Sequence, residues 1–79
     1  MTAHLLTDRA GRYDAFEALD GRSFYFEHEA SGADSGILIR VQNGVAISAE
    51  DRAGRDAGPV PAAILNWLRL AGVDVNTIR

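Results

Sequence analysis

The tripeptide Glu27-His28-Glu29 contains the residue types of a metal site or of an acid–base pair. Imidazole and carboxylates are zinc ligands, and two carboxylates can share the acid and base roles in glycoside hydrolysis. The tripeptide, however, continues the alternating pattern of a β-strand, in which successive side chains point to opposite faces of a sheet. The two glutamates therefore share one face, and His28 lies on the other face with Phe24 and Phe26. Because the three groups cannot converge, we expect no metal site, and we expect His28 to be a partly buried histidine with its hydrogen bonds satisfied.

No other residues form a recognisable catalytic group. The two glutamates lie on one strand, in a chain too short to build a cleft around them readily, and His4 has no recognisable partner. The serines have no Gly-x-Ser-x-Gly context, cysteine is absent, and the glycines form neither a phosphate loop nor a dinucleotide fingerprint. The sequence therefore predicts a protein that is not an enzyme and that has no cofactor.

Direct binding to nucleic acid is also disfavoured. The aromatic run Phe24-Tyr25-Phe26 loosely resembles the stacking strand of an RNA-recognition sheet. The glycines of that family are absent, and Glu27 and Glu29 follow immediately. Because their carboxylates would repel phosphates, we expect no direct contact with nucleic acid.

The acidic residues are concentrated in one part of the chain. Residues 14–36 contain six acids and one arginine, a balance of −5, whereas the remaining residues sum to +2 and the whole chain to −3. A concentrated acidic surface on a small protein suits a basic partner, and the alternative is a solvated face that only maintains solubility. Glu27 and Glu29 are the principal candidates. The full set of candidate partner-binding residues is Asp14, Glu17, Asp20, Tyr25, Glu27, Glu29 and Asp34.

Length and composition predict one domain that spans residues 1–79. The apolar content of 47% is typical of a globular chain. The lack of cysteine fits a reducing compartment. No apolar run reaches the ~18 residues of a membrane span, and no secretory signal is recognisable. We therefore expect a cytoplasmic protein that has no membrane partner.

The amino-terminal part is predicted to contain a short helix. Residues Tyr13–Leu19 include strong helix formers and have an apolar residue at every third position, and Asp20-Gly21 would end the helix. The alternative is a hairpin turn at Asp20-Gly21. That register sets Glu17 opposite Phe24 and places a charge against an aromatic face, so the helix is favoured.

Three strands are predicted to follow. They span Ser23–Ala30, Ile37–Val41 and Val45–Ala49, with a loop over Ala30–Gly36 that is rich in serine, glycine and aspartate. The strand residues expected to meet solvent are Tyr25, Glu27, Glu29, Arg40, Ser48 and Glu50. The expected neighbour of Arg40 is Glu27 or Glu29.

The reversal at Asn43-Gly44 allows two registers. A two-residue loop pairs Val41 with Ala46, and a three-residue loop pairs Val41 with Val45 and Ile39 with Ile47. The three-residue loop is favoured because it aligns the apolar residues, and burial strongly specifies register. The face expected to be buried then carries Ile37, Ile39, Val41, Val45, Ile47 and Ala49.

A carboxyl-terminal helix is predicted over Pro61–Ala71. Proline suits the first turn of a helix, so the helix begins at Pro59 or Pro61, and Gly72 is the expected C-cap. Beyond it, Val73–Arg79 either adds a short edge strand or hangs free. The apolar stripe that packs on the sheet is Ile64, Trp67, Leu68 and Ala71. The predicted fold class is α+β, with a small antiparallel sheet of at least three strands packed by the carboxyl-terminal helix.

The acidic stretch Asp14–Asp34 and the compact hairpin Ile37–Ala49 resemble, in kind, those of the very small single-domain proteins of phages and mobile elements. Among these, the chain is most similar to the anti-CRISPR inhibitors. That resemblance implies a DNA mimic that binds the DNA-recruiting surface of a CRISPR surveillance complex in the cytoplasm of a bacterial host.

Charge and resemblance together predict a non-enzymatic inhibitor. Its acidic patch would bind a basic surface of a nucleic-acid-binding protein, in a complex that salt weakens. The alternative is a homodimeric accessory or structural protein of a phage or bacterium, without nucleic-acid mimicry. Its subunit interface would use exposed Leu38, Leu65 or Leu70 and would be largely insensitive to salt.

Overall fold

The described residues form five antiparallel strands and one helix. The computed structural model describes residues 3–8, 11–17, 23–30 and 32–78, and the side chains of these residues except 3–8, 11, 17, 33 and 34. The elements are β1 (Ala3–Asp8), β2 (Gly11–Glu17), β3 (Phe24–His28), β4 (Gly32–Gln42), β5 (Val45–Glu50) and α1 (Ala62–Leu70). The sheet order is β1-β2-β3-β4-β5, so every strand pairs with its sequence neighbour. The α+β prediction, with an antiparallel sheet and a carboxyl-terminal helix, is confirmed.

The segment predicted as an amino-terminal helix is strand β2. The prediction of a helix over Tyr13–Leu19 is wrong for the described residues 13–17, which are a strand. Residues 18–22, where the helix was predicted to end at Asp20-Gly21, lie outside the described residues. The backbone pairs Glu17 with Phe24, which is the register of the rejected hairpin. Tyr13 and Ala15 are buried, with the half-buried Asp14 between them, a period of two. Burial of Ala15 against the core thus outweighs the helix preference of the segment.

Strand β4 begins earlier than predicted. Glu29 and Ala30 form a turn, residue 31 lies outside the described residues, and the strand extends over 11 residues from Gly32. The prediction of a loop over Ala30–Gly36 is therefore wrong from Gly32 onward. Pairing with β3 is irregular there, because the register shifts between Phe26 and His28. Ser35 compensates for this shift: its hydroxyl accepts a hydrogen bond from His28 N–H at 2.7 Å and donates one to the Gly32 carbonyl at 2.9 Å.

The β4–β5 connection has two residues rather than three. Asn43 and Gly44 have φ angles of 54° and 77°, the left-handed pair that a type I′ turn requires. The strands therefore close on the pair Gln42–Val45. The predicted pairing of Val41 with Val45 is wrong, because the turn preference of Asn-Gly determines the register at this end.

A β-bulge then corrects the phase of β5. Val41 pairs with Ala46 and Ile39 pairs with Ala49, so Ile47 is the extra residue. The predicted pairing of Ile39 with Ile47 is wrong, and Ile47 is 46% exposed. Because one residue is inserted, Ala46 and Ala49 both face the core although they are three positions apart. Of the residues predicted to be buried, Ile39 belongs to the core cluster, and Ile37, Val41 and Ala49 are partly buried and pack against it. Val45 and Ile47 lie outside it.

The core lies between α1 and the sheet. Ile64 and Leu68 are completely buried, as the apolar stripe predicted, and Ala71 is exposed. Trp67 makes edge-to-face contacts with Phe24 and Phe26, with ring centroids 5.1 and 5.7 Å apart. The helix therefore covers the face of β3 that carries these two phenylalanines.

The end of α1 is a Schellman motif. Gly72 has a φ of 86°, and its N–H donates to the Arg69 carbonyl at 3.0 Å. Val73 N–H donates to the Leu68 carbonyl at 2.9 Å, and both of these side chains are buried. The C-cap residue is Ala71, one position before the predicted Gly72, which is the left-handed glycine that ends the helix. Pro61 directly precedes the helix as its N-cap.

The segment after α1 returns to the free edge of β5. Asp74 forms a single parallel bridge with Val45, with hydrogen bonds of 2.8 and 2.9 Å at its two ends. Val73 and Val75 are buried on either side of it. The carboxyl-terminal segment therefore fits neither predicted alternative: it forms one bridge instead of a full edge strand, and it does not hang free of the sheet. No helix among the described residues has the length and apolar character needed to span a bilayer.

Candidate partner-binding surface

The sheet face opposite α1, here called the outer face, carries most of the described candidate residues. Pairing register and strand alternation bring β2, β3, β4 and β5 side chains onto it. The residues predicted to meet solvent all lie on this face, although the hydroxyl of one of them, Ser48, is buried. The described side chains of the outer face include Arg12, Asp14, Phe16, Tyr25, Glu27, Glu29, Leu38, Arg40, Ser48 and Glu50.

Two carboxylates lie directly opposite each other at the centre of the β2–β3 pair. Asp14 and Glu27 are register partners, and both side chains are half-buried. Neither forms an ion pair with an arginine in the described part of the chain. Like charges at directly opposed positions destabilise a strand pair. The arrangement therefore costs the fold stability while concentrating negative charge.

The ion pairs that the described part of the outer face contains involve neither Asp14 nor Glu27. Arg12 binds Glu29 at 3.3 Å, and Arg40 binds Glu50 at 3.2 Å. The expected pairing of Arg40 with Glu27 or Glu29 is wrong, because Glu50 lies nearer on the adjoining strand. Both bridges are exposed and contribute little to stability. Glu29 is thus partly neutralised by Arg12, whereas Asp14 and Glu27 are not neutralised by a described basic residue.

Tyr25 holds Glu27 in place. Its hydroxyl donates a hydrogen bond to Glu27 Oε2 at 2.9 Å. Its ring lies over Gly36, where a Cβ would approach the tyrosine oxygen to 2.2 Å. Burial raises the pKa of Tyr25 above its ordinary value, and the hydrogen bond to Glu27 and the charge of Glu27 raise it further, while Arg52 opposes them. At neutral pH the hydroxyl therefore keeps the proton that it donates.

An apolar row adjoins the carboxylates. Phe16, Tyr25 and Leu38 are successive partners across β2, β3 and β4, and the Phe16 and Tyr25 rings are 6.3 Å apart. Aromatic side chains beside charged groups are typical of the centre of protein interfaces. The outer face thus combines an acidic pair with an apolar row.

No protein-family model, curated protein or solved structure matches this chain. The function of the outer face must therefore be inferred from its own side chains.

The side chains of only some candidate partner-binding residues are described. Asp14, Tyr25 and Glu27 are brought together, with Glu29 beside them. Asp20 lies outside the described residues. Glu17 and Asp34 have described backbones in β2 and β4, but their side chains lie outside the described part.

Sequence reasoning missed Phe16 and Leu38 as part of this surface. Phe16 was counted in a helical stripe with Tyr13, which the structure buries on the opposite face. A period-two count from Arg12 would have placed Phe16 beside Asp14. Leu38 was named only as part of an alternative subunit interface, although it is the register partner of Tyr25.

His28 lies away from the outer face. Its ring packs edge-on against Tyr13, with centroids 4.9 Å apart, and Nδ1 accepts a hydrogen bond from Ala30 N–H at 3.1 Å. The prediction of a partly buried histidine is confirmed, with a hydrogen bond formed at Nδ1. Within the described residues, no three histidine, aspartate or glutamate side chains are placed to hold a metal ion.

A cleft of about 570 Å³ lies at the free edge of β5. Its lining includes Ile47, Asp56, Pro59 and Ile78, and it contains neither His28 nor any candidate partner-binding residue. The hydroxyl of Ser48, which also lines it, is buried without a hydrogen-bond partner. The cleft is thus separate from the acidic pair.

Replacing Asp14 with asparagine is expected to stabilise the fold. The substitution removes a like-charge contact worth ~0.5 kcal/mol, which corresponds to a rise in melting temperature of about 2–4 °C for a domain of this size. Thermal denaturation at low salt measures it. The control is Asp56→Asn, at an exposed turn position where the amide can still accept the Gly58 N–H. Equal melting temperatures for the two variants would contradict a strained acidic pair.

Proposed function

We propose that this protein is a non-enzymatic inhibitor whose outer face covers a basic, nucleic-acid-binding surface of another protein. The observation that carries the proposal is the pair Asp14–Glu27, two carboxylates directly opposed without a described cation. A protein surface that serves only solubility does not need two carboxylates at directly opposed positions, because interspersed charges of both signs keep a protein soluble. A partner that supplies cations would compensate the repulsion on binding.

The same surface explains how inhibition would arise. A site that binds nucleic acid neutralises phosphates with lysine and arginine, and this makes its affinity strongly dependent on salt. Carboxylates that occupy such a site compete with phosphates for the same cations. The apolar row Phe16–Tyr25–Leu38 adds contacts that a phosphate backbone does not offer, and large aromatic side chains dominate interface energies.

The proposed partner is the DNA-recruiting surface of a CRISPR surveillance complex in a bacterial cytoplasm. Its support is the small size of the chain, its acidic stretch Asp14–Asp34 and the resemblance in kind to anti-CRISPR proteins. The proposed contacts are Glu27, Asp14 and Glu29, with Tyr25 beside them. The protein itself would contact no nucleic acid and no membrane.

Self-association through the predicted leucines receives less support. Leu38 lies on the outer face, Leu65 packs against the core, and Leu70 is 89% exposed at the end of α1. Because α1 packs on the opposite face of the sheet, Leu38 and Leu70 do not form one surface. A homodimeric accessory protein would need a different interface.

A tagged pull-down from a CRISPR-bearing bacterial lysate tests the proposal. We expect mass spectrometry to identify a nucleic-acid-binding complex that is retained at about 50 mM salt and lost at about 500 mM salt or on addition of DNA. The double variant Asp14→Asn/Glu27→Gln should lose it. The control Asn66→Lys/Leu70→Lys changes the net charge equally at two exposed helix positions and should retain it.

Two results would contradict the proposal. One is capture of the same complex by the wild type and by Asp14→Asn/Glu27→Gln in equal amounts. The other is recovery of the bait alone as a dimer that resists salt, which would favour the accessory protein.

A further inference from the structure

On the outer face, the Tyr25 ring packs directly over Gly36. Gly36 is buried in β4, and its missing side chain leaves the space that the Tyr25 ring occupies. From that place the Tyr25 hydroxyl reaches Glu27 Oε2 at 2.9 Å. We propose that Tyr25 is a positioning residue, which Gly36 seats against the sheet so that it fixes the Glu27 carboxylate beside Asp14 before the partner arrives. This inference rests on the proposed function.

A side chain at position 36 would clash with the Tyr25 ring. A Cβ at Gly36 would lie 2.2 Å from the Tyr25 oxygen and 2.8 Å from the adjoining ring carbon. Contacts this short do not occur, so any other residue at position 36 must displace the ring. The φ angle of Gly36 is not in the left-handed region, so an alanine there meets no backbone strain. The clash with Tyr25 is therefore what a Gly36→Ala variant measures.

The hydrogen bond from Tyr25 restricts the side-chain rotamers of Glu27. A glutamate on a sheet surface otherwise samples many rotamers, and ordering it at an interface has an entropic cost. The Tyr25 hydrogen bond fixes the side chain through Oε2 and leaves Oε1 for a partner cation. Fixing the carboxylate in the unbound protein reduces the cost of binding, which is the usual effect of preorganisation.

The test is a double-mutant cycle between Tyr25→Phe and Glu27→Gln. The probe is a fluorescent oligoarginine peptide titrated at low salt. Tyr25→Phe removes only the hydroxyl, and we expect it to weaken binding by about 2- to 10-fold. In the Glu27→Gln background the same change should have no further effect, because the carboxylate that it positions is gone. Gly36→Ala should reproduce the loss with the hydroxyl still present.

The matched control is Tyr13→Phe. Tyr13 is the other tyrosine of the chain and is buried on the opposite face of the sheet, so its variant reports any effect of lost stability. It should bind the peptide as the wild type does.

The possible outcomes separate this inference from the proposed function. If Tyr25→Phe binds as tightly as the wild type while Glu27→Gln binds weakly, only the positioning role is overturned. An equal loss from Tyr25→Phe in both backgrounds would also overturn it, because the Tyr25 hydroxyl would then contact the peptide directly instead of positioning Glu27. If peptide binding is unaffected by Asp14→Asn/Glu27→Gln, the proposed function fails as well.

Discussion

Charge reversal of both principal glutamates, as Glu27→Lys/Glu29→Lys, is expected to abolish binding to the basic partner. Close charge pairs at interfaces couple strongly, and replacing attraction with repulsion at two of them should weaken binding by at least about 100-fold. The expected measurement is a titration of the purified partner complex at low salt, with increasing salt reducing the difference between variant and wild type.

The fold should survive this change. The lysine introduced by Glu27→Lys would face Asp14 across the β2–β3 pair and replace a repulsive contact with an attractive one. The Glu29→Lys change would remove the exposed bridge to Arg12, which contributes little to stability. The melting temperature is therefore expected to remain close to that of the wild type.

The control for Glu27→Lys/Glu29→Lys carries the same change of net charge elsewhere. It replaces four exposed residues on α1 and the carboxyl-terminal segment: Asn66, Leu70, Asn76 and Thr77, each by lysine. This control should bind almost as well as the wild type at moderate salt. Equal losses in the two variants would show that total charge, and not the outer face, determines binding.

Replacing Phe26 with alanine is expected to unfold much of the protein. Phe26 is completely buried in β3, is the register partner of Ala15, and packs edge-to-face on Trp67. Phenylalanine-to-alanine changes at such sites cost about 3–5 kcal/mol, and the total stability of a domain this small is roughly 5 kcal/mol. Urea denaturation followed by circular dichroism measures the loss.

Phe16→Ala is the matched control for Phe26→Ala. Phe16 is only half-buried, on the outer face, so its truncation should cost less than half as much. A Phe26→Ala variant that unfolds cooperatively within ~1 kcal/mol of the wild type would contradict the placement of the core.

The carboxyl-terminal elements could be predicted because their signals are local. Proline before the helix, glycine after it and apolar residues at helical spacing each act within one or two turns. Pro61 and the pair Ile64 and Leu68 were therefore placed correctly, and the predicted C-cap Gly72 is one residue beyond the actual one.

Strand β2 could not be predicted from local signals. Tyr13, Phe16 and Leu19 have helical spacing, whereas the strand is marked on its buried side by Tyr13 and the small Ala15. Alanine gives a weak hydrophobic signal, so only the partner strand reveals that this position is fully buried. The pairing of Asp14 with Glu27 also depends on which strand lies beside β2, so no local pattern in the sequence predicts it. Both residues are candidates only because of their charge.

The bulge at Ile47 was missed because two rules conflict there. The burial pattern favoured one register, and the Asn43-Gly44 turn favoured the other. The chain follows the turn preference, and the unpaired Ile47 returns Ala49 to the buried face while Val45 and Ile47 stay outside the core cluster. Nothing in the sequence marks where the insertion occurs. The alternation of β3 has no such conflict, so Tyr25 and Glu27 were correctly assigned to one face.

The order of strands in the sheet has a consequence for how the chain folds. Because each strand pairs with the one before it, the sheet can be assembled hairpin by hairpin, and each step closes only a short loop at a small entropic cost. Such a topology has a low contact order, which favours rapid folding for a β-rich domain. The contact between α1 and β1 joins the two ends of the chain and requires the longest loop closure. Among the contacts between described elements, this one is therefore expected to form at the largest entropic cost.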